Sequence, residues 1–402
     1  MMKKLLFIAL LPILLLTSCV NSLDDYNVNT KSPSSVSGDP MFSYSQFVLA
    51  NALNSVNVNT NVFRFYVQHL TATTYLDEPR YDMTTRTIPQ ALWNAIYASV
   101  LVDLKEAKRL VNEDKALPDA IKKNKIASIT MMEVYSWSVL VNTFGNIPYS
   151  QALDINKTQP VYDDAKTITN DLLSRLEEAL NTISTADAGF GSADVIYKGD
   201  MSKWVKFGNS LKLKLAMVIA DSDAGTAKGK VAEAATDLGK LITDNSDNAL
   251  FAYLGSLPNN NPLSNDVPPI SSRRDFVAAN TIVDMMNGLN DPRRSAYFTA
   301  LEDGSFKGGT YGFSNVYAAN STISKKVSAQ TFPGNFLDAA EVNFLLAEAV
   351  ERGFISGNAE EFYNAAISAS MDYWGVTGTA DYLAQAGVSY ATAGNTWQQK
   401  IG

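Results

Sequence analysis

The sequence predicts an all-α protein built from paired helices, and three observations carry that prediction. Apolar residues recur at helical spacing over most of the chain from Pro40 onward; the clearest stripe is Trp204, Phe207, Leu211, Leu215 and Val218, with Gly208 beside it. Successive helical segments are joined by short connectors such as Leu117-Pro118, where proline suits the first turn of a helix. Runs alternating apolar and polar residues, the mark of a half-buried strand, are scarce.

Taken in order, the spacing predicts helices over 41–56, 60–76, 89–113, 119–143, 161–184, 201–221, 226–245, 275–289, 335–352 and 358–374. Three pairs stand out. The segments 89–113 and 119–143 meet at Leu117-Pro118; 161–184 and 201–221 flank the loop around Gly189-Phe190-Gly191; 335–352 and 358–374 meet through Gly353 and Gly357. Such pairs point to a superhelical scaffold of tetratricopeptide type, whose repeat is roughly 34 residues, although no consensus recurs cleanly. Trp93, Tyr97, Trp137 and Trp204 sit at helical spacing and are expected in the core. Lys203, Lys206, Lys212 and Lys214 are expected at the edges of their helix, with stems on apolar surface and heads in water. Two long non-helical regions, roughly 246–274 and 302–334, interrupt the array. Loops of that length in a compact protein are functional or disordered, and the aromatics in both favour function.

Lys3 and Lys4, the apolar run Leu5 to Leu16 and Leu16-Thr17-Ser18-Cys19 form a charged n-region, a short h-region and a small-residue processing site. The run is shorter than the roughly 20 residues that span a bilayer. A cysteine directly after the processing site resembles a bacterial lipobox, in which Cys19 is lipidated and becomes the first mature residue. The expected organisation is a signal peptide at 1–18, a lipidated tether at 19–39 rich in Asn, Ser and Pro, and one helical domain at 40–402.

Composition narrows the function. Hydrophobic residues make up 46% of the 402 and charged residues 18%, enough for a sizeable core. The net charge of −8 argues against nucleic acid and against adhesion to anionic lipid through a basic patch. Cys19 is the sole cysteine and His69 the sole histidine, so neither an internal disulfide nor a Cys/His zinc site can form. His69 lies in the predicted helix 60–76 with no nucleophile elbow nearby, and reads as a structural residue. Glu341 and Glu348 share a helix face, but seven residues at 1.5 Å rise put their backbones roughly 10 Å apart, too far for a retaining glycosidase pair at about 5 Å. Glu177-Glu178 and Glu360-Glu361 read as solvated faces. Asp223, Asp244 and Asp247 lack EF-hand spacing. Neither a cofactor nor a metal site is expected.

Several stretches together resemble the SusD/RagB family of nutrient-binding outer-membrane lipoproteins. They are the lipobox with Leu23-Asp24-Asp25-Tyr26-Asn27-Val28-Asn29, the segment Thr143-Phe144-Gly145-Asn146-Ile147-Pro148-Tyr149, the stretch Gly199-Asp200-Met201-Ser202-Lys203-Trp204-Val205-Lys206-Phe207-Gly208, Asn290-Asp291-Pro292-Arg293, and the helix bearing Ala340-Glu341 and Ala347-Glu348-Ala349. The resemblance implies a non-enzymatic protein on tetratricopeptide-like helix pairs, with a loop-rich face that captures oligosaccharides or, in some members, peptides. It implies a TonB-dependent transporter of the SusC type as partner, over which the lipoprotein sits as a lid, and Asp24-Asp25 resembles the signal for the exterior face of the outer membrane. In the family a stretch like Trp397-Gln398-Gln399-Lys400 opens a further helix and the fold continues, so this chain is expected to lack a C-terminal part. Glycan binding needs flat exposed aromatics beside polar groups. The candidates are Tyr75 and Tyr81, flanking Leu76-Asp77-Glu78-Pro79-Arg80, and Tyr253, Tyr311 and Tyr317 in the long loops near Asn259, Asn260 and Asn320. At least two of the five are expected to touch ligand. The alternatives are a peptide-binding homologue, a surface glycoside hydrolase and a helical adaptor that binds only proteins.

Overall fold

The computed structural model describes residues 36–84 and 86–402; the expected signal peptide, Cys19, Asp24-Asp25 and most of the expected tether lie outside the described residues. From Gly38 the chain runs through α1 (Gly38–Asn54), the single turn α2 (Phe63–Tyr66), α3 (Ile88–Asn94), α4 (Val102–Glu113), α5 (Asp119–Phe144), α6 (Ala165–Thr182), α7 (Met201–Val218), α8 (Ala224–Ala234), α9 (Asn280–Gly288), α10 (Arg294–Tyr297), α11 (Ala339–Glu351), α12 (Ala359–Trp374), α13 (Thr379–Leu383) and α14 (Trp397–Ile401). The strands are short and form two-stranded antiparallel ladders: β1 (Leu70–Ala72) with β5 (Phe276–Ala278), β2 (Ile147–Pro148) with β3 (Tyr162–Asp163), β4 (Ala249–Phe251) with β8 (Gly334–Leu337), and β6 (Phe298–Thr299) with β7 (Thr322–Ile323). The fold is all-α, and the predicted pairs pack as neighbours: α4 on α5, α6 on α7, α11 on α12.

Local chemistry starts the helices where they start. Asp164, Asp200, Asp223, Asp338 and Asn358 each accept a backbone N–H from the first turn of the helix that follows, the group a helix leaves unbonded at that end. Thr396 and Gln399 form a full capping box at α14. Between α3 and α4 the helix continues as a π-helical turn, Ala95–Leu101. That segment carries Tyr97, whose ring stacks on Trp93 at 4.5 Å and meets Trp137 edge-on at 5.2 Å.

Five predicted helices are corrected: 161–184 opens as β3 before α6 and 335–352 as β8 before α11, and three change further. Segment 60–76 is helical only at Phe63–Tyr66, because Gln68 takes φ +57 and the chain then extends into β1. Segment 226–245 stops at Ala234 and continues through 3-10 turns, one of them capped by Asp237. Segment 275–289 opens as β5 before α9 begins at Asn280. In each case an apolar run that reads equally well as helix or strand was claimed by a partner strand or a side-chain cap.

The main core runs from Phe42 in α1 to Ala349 in α11. Trp204 and Trp137 are buried, while Trp93 and Tyr97 are partly buried against it. Helix α7 is covered nearly all round, and two expectations for it change: Val218 is exposed, and Lys212 is buried between carboxylates. The Gly199-Asp200…Trp204 stretch now has a physical reading. Asp194, fully buried, accepts hydrogen bonds from Gln46 Nε2, Ile196 N and Tyr197 N on one oxygen, and from Gly199 N and Trp204 Nε1 on the other, at 2.7–3.2 Å. Gly199 lies at φ +81, and a Cβ there would stand 2.5 Å from Gly191 N; only glycine fits. The Asn290-to-Arg293 stretch closes on itself in a similar way: Arg293 pairs with Asp291 at 2.6 Å and donates to Ser370 on α12.

Candidate functional site

The ladder β1–β5 organises the loop-rich face. Gly309 N donates to Ala278 O and Asn280 N to Gly309 O, both at 2.8 Å, so the loop after Lys307 lies directly against β5 and the start of α9. This approach requires glycine: a Cβ on Gly308 would stand 2.3 Å from Asn280 Cα. Beyond it, Asn315 Nδ2 donates to Ala72 O at 3.0 Å, Ser314 Oγ to Thr73 O at 2.7 Å, and Arg80 Nε to Gly312 O at 2.8 Å. The loop is thus pinned to β1 and to the 3-10 turn Glu78–Arg80.

That pinning brings Tyr81 and Tyr311 together. Tyr81, at φ +60 after the 3-10 turn, is 52% exposed, and its ring lies 5.1 Å from Tyr66 and 6.1 Å from Tyr311. Tyr311 is anchored by its hydroxyl donating to Phe65 O at 2.6 Å and by Asn280 Oδ1 accepting from its N–H. Gln68 completes the group: its Nε2 donates to Tyr81 Oη at 3.1 Å and its Oε1 accepts from Thr281 Oγ1 at 2.7 Å. The Gln68 hydrogen bond, with Tyr311, holds the Tyr81 phenol below its ordinary value, whereas burial raises those of Tyr66 and Tyr311. The Tyr66 hydroxyl is buried without a hydrogen-bond partner among the described residues. The result is an exposed ring on an aromatic base with amide and hydroxyl groups beside it, which can stack on an apolar ring face and bond hydroxyls at its edge.

The other three tyrosines lie elsewhere. Tyr75 is exposed, at φ +46, with the Arg86 guanidinium 5.3 Å from its ring centre. Arg86 also pairs with the buried Glu78 at 2.9 Å, and burial pushes that carboxyl upward. Tyr317 is half-buried under Arg274, 5.6 Å away. Tyr253 is corrected as a surface candidate: it follows β4, packs on Phe251 at 4.9 Å and belongs to the core. Asn260 and Asn320 are buried and bond within their own loops. The sequence reading missed Tyr66, Gln68 and Thr281 because it placed all three in helices; the Gly308-Gly309 pair was the one signal that a loop was held tightly here.

Most of the carboxylates set aside in the sequence are engaged, while Glu178 and Glu360 are exposed as expected. Glu341 pairs with Lys214 on α7 and Glu348 with Arg352. Glu177, read as solvated, instead pairs with Lys212 and Lys230. Asp223 and Asp244 cap their turns and Asp247 pairs with Lys206. His69 lies in the exposed turn before β1 and not in a helix.

Residues 30–402 match the family SusD-like_2, described as "Starch-binding associating with outer membrane". Among solved structures, the chain is similar to a SusD-like protein from Bacteroides thetaiotaomicron, with 25% identity, TM-score 0.71, and coverage of 86% of this chain and 72% of that one. It is similar to a chitin-binding SusD homologue from Flavobacterium johnsoniae, with 23% identity, TM-score 0.71 and coverage of 86% and 73%. A SusD homologue from Bacteroides fragilis has 22% identity, TM-score 0.74 and coverage of 91% and 82%. At these identities the last two speak for the fold. Comparison with curated proteins gives no match.

Proposed function

The chain belongs to the SusD-like_2 family, starch-binding proteins associating with the outer membrane, and from that premise we propose that it captures an oligosaccharide on the face formed by Tyr66, Tyr81 and Tyr311. The exposed Tyr81 ring, backed by two further tyrosines and bridged by Gln68 to Thr281, is the observation that carries this reading. One sugar ring stacks on Tyr81, and its hydroxyls exchange hydrogen bonds with Gln68 and Thr281. The family is one of binding proteins rather than enzymes, so the mechanism is equilibrium capture without a covalent step. We place the protein on the exterior of the outer membrane, with a leader at 1–18, a lipid on Cys19, a tether to residue 39 and a body over 40–402. It serves as the lid of a SusC-like TonB-dependent transporter that receives the glycan.

Affinity electrophoresis in gels containing starch or soluble chitin, with a glycan array for other sugars, tests the binding reading. Tyr81→Ala is expected to weaken retention about tenfold, the scale of one lost stacking contact. Unchanged retention by that variant, or no retention by any glycan, overturns the proposal. Peptides competing at Tyr81 while glycans do not would move the ligand to the peptide class. Loss of palmitate labelling in Cys19→Ser tests the anchor, and co-purification of a barrel transporter from membranes tests the partner.

A further inference from the structure

A cavity of about 380 Å³ lies beside the tyrosine face, with Arg64, His69 and Ile282 among its lining residues. Its wall is otherwise apolar and aromatic: Tyr297 meets Trp374 edge-on at 4.4 Å, Phe332 stacks on Trp374 at 5.7 Å, and Val327 lies with them. Size and lining match a small-molecule pocket with few polar groups. Those few are basic. Arg64 Nη1 donates to Ser55 O at 2.8 Å, which uses one of five guanidinium N–H donors. Among the described residues no carboxylate pairs with Arg64, although ion pairs abound elsewhere in the molecule. His69 lines the same cavity. Burial lowers the Arg64 guanidinium to about 10, and partial desolvation followed by the nearby Arg64 lowers His69, as expected of two neighbouring bases without a counter-charge.

We infer that this cavity is a second ligand site, selective for a monocarboxylate on an apolar, aryl-alkyl body, with Arg64 and His69 holding the carboxylate and the Trp374–Phe332–Tyr297 wall holding the body. A carboxylate supplies the acceptor that a guanidinium fork is shaped to meet, and charge-assisted hydrogen bonds are the strong ones. A neutral body of the same shape leaves both bases as they are, so the charge decides the selectivity.

The test compares 3-phenylpropionate with 3-phenylpropanol on the full chain by isothermal titration and tryptophan fluorescence. The acid is expected to bind at one site, quench fluorescence, and bind at least about tenfold more tightly than the alcohol, the scale of one charge-assisted hydrogen bond. Arg64→Met should make acid and alcohol bind alike, and His69→Gln, at an exposed position, should weaken the acid several-fold without touching the Arg64–Ser55 bond. Trp374→Phe should abolish the quench while titration still detects binding. Equal affinity of acid and alcohol for the native chain, or no heat from either at millimolar concentration, overturns the inference. Tyr81→Ala should leave acid binding intact, so failure here and failure of the glycan face read out separately.

Discussion

Asp194 shows how much one side chain can hold. Its two oxygens collect five hydrogen bonds from α1, the loop 195–199 and Trp204, and among the described residues no Lys or Arg neutralises it. A buried carboxylate is tolerated when its lone pairs are filled by donors. Asp194→Asn replaces one acceptor with an amide that faces N–H groups, and should destabilise the protein by about 3 kcal/mol, read as a lower urea midpoint. Trp204→Phe removes a single donor and should cost less, about 2 kcal/mol. Equal midpoints for native chain and both variants would remove Asp194 from this role. The same residue-level reasoning separates Tyr81 from Tyr253. Both are loop tyrosines in sequence; one ends on the surface above two rings and the other in the core against Phe251.

At the scale of elements, α7 is tied outward by its lysines. Lys203 donates to Ser246 O, Lys206 pairs with Asp247, Lys212 with Glu177 and Glu233, and Lys214 with Glu341. One helix is thereby fixed to α6, α8, α11 and the turn after Asp244. The hydrogen bond from Lys212 is the largest of the influences, with Glu177 and Lys230 among the others, that together take the Glu233 carboxyl from 4.5 down to about 2. A folded-state value below the unfolded one means stability that is present above pH 4.5 and lost as pH falls from there toward 2. Acid titration followed by circular dichroism should therefore show Glu233→Gln with a flatter acid limb over that range than the native chain; superimposable limbs would exclude the coupling. Since Glu233 is half exposed, solvent screening keeps the effect small. A second element-level expectation concerns Gly308. Its Cβ position is occupied by the backbone of Asn280, so Gly308→Ala should push the Tyr311 loop off β5, cost about 1–3 kcal/mol, and weaken glycan retention as Tyr81→Ala does. Normal stability together with normal retention would show that the loop finds another seat.

Across the whole body Gly38–Gly402, the core divides unevenly. The large cluster takes in α1, α4 to α8 and much of α11, whereas Tyr363, Met371, Tyr382, Val388 and Tyr390 gather in a satellite cluster with Ala347. Fewer buried contacts mean a lower free energy of local opening. Hydrogen exchange should find the amides of α5 and α7 the slowest in the molecule, and those of 376–402 distinctly faster. Uniform protection along the chain would make the satellite an integral part of the main core.

The helical array was legible because it rests on local rules. The stripe Trp204–Phe207–Leu211–Leu215, the proline before α5 and the glycines between α11 and α12 each follow from the period and the end chemistry of a helix, whatever packs on it. The predicted pairs meet for the same reason: short connectors leave adjacent helices little choice. The site depends on contacts across the chain. Tyr66 and Gln68 read as helix until β5, some two hundred residues later, pairs with β1 and draws Leu70–Ala72 into a strand. Tyr311 reaches Tyr81 only because Gly308-Gly309 can lie against β5, and Lys212 is buried only because Glu177 and Glu233 arrive from two other helices. Sequence by itself determined which segments coil and which family they resemble, since both are written in neighbouring residues. Tertiary structure alone decided which tyrosines share a face and which bases share a cavity, because those neighbours are made by long-range pairing that no local pattern encodes.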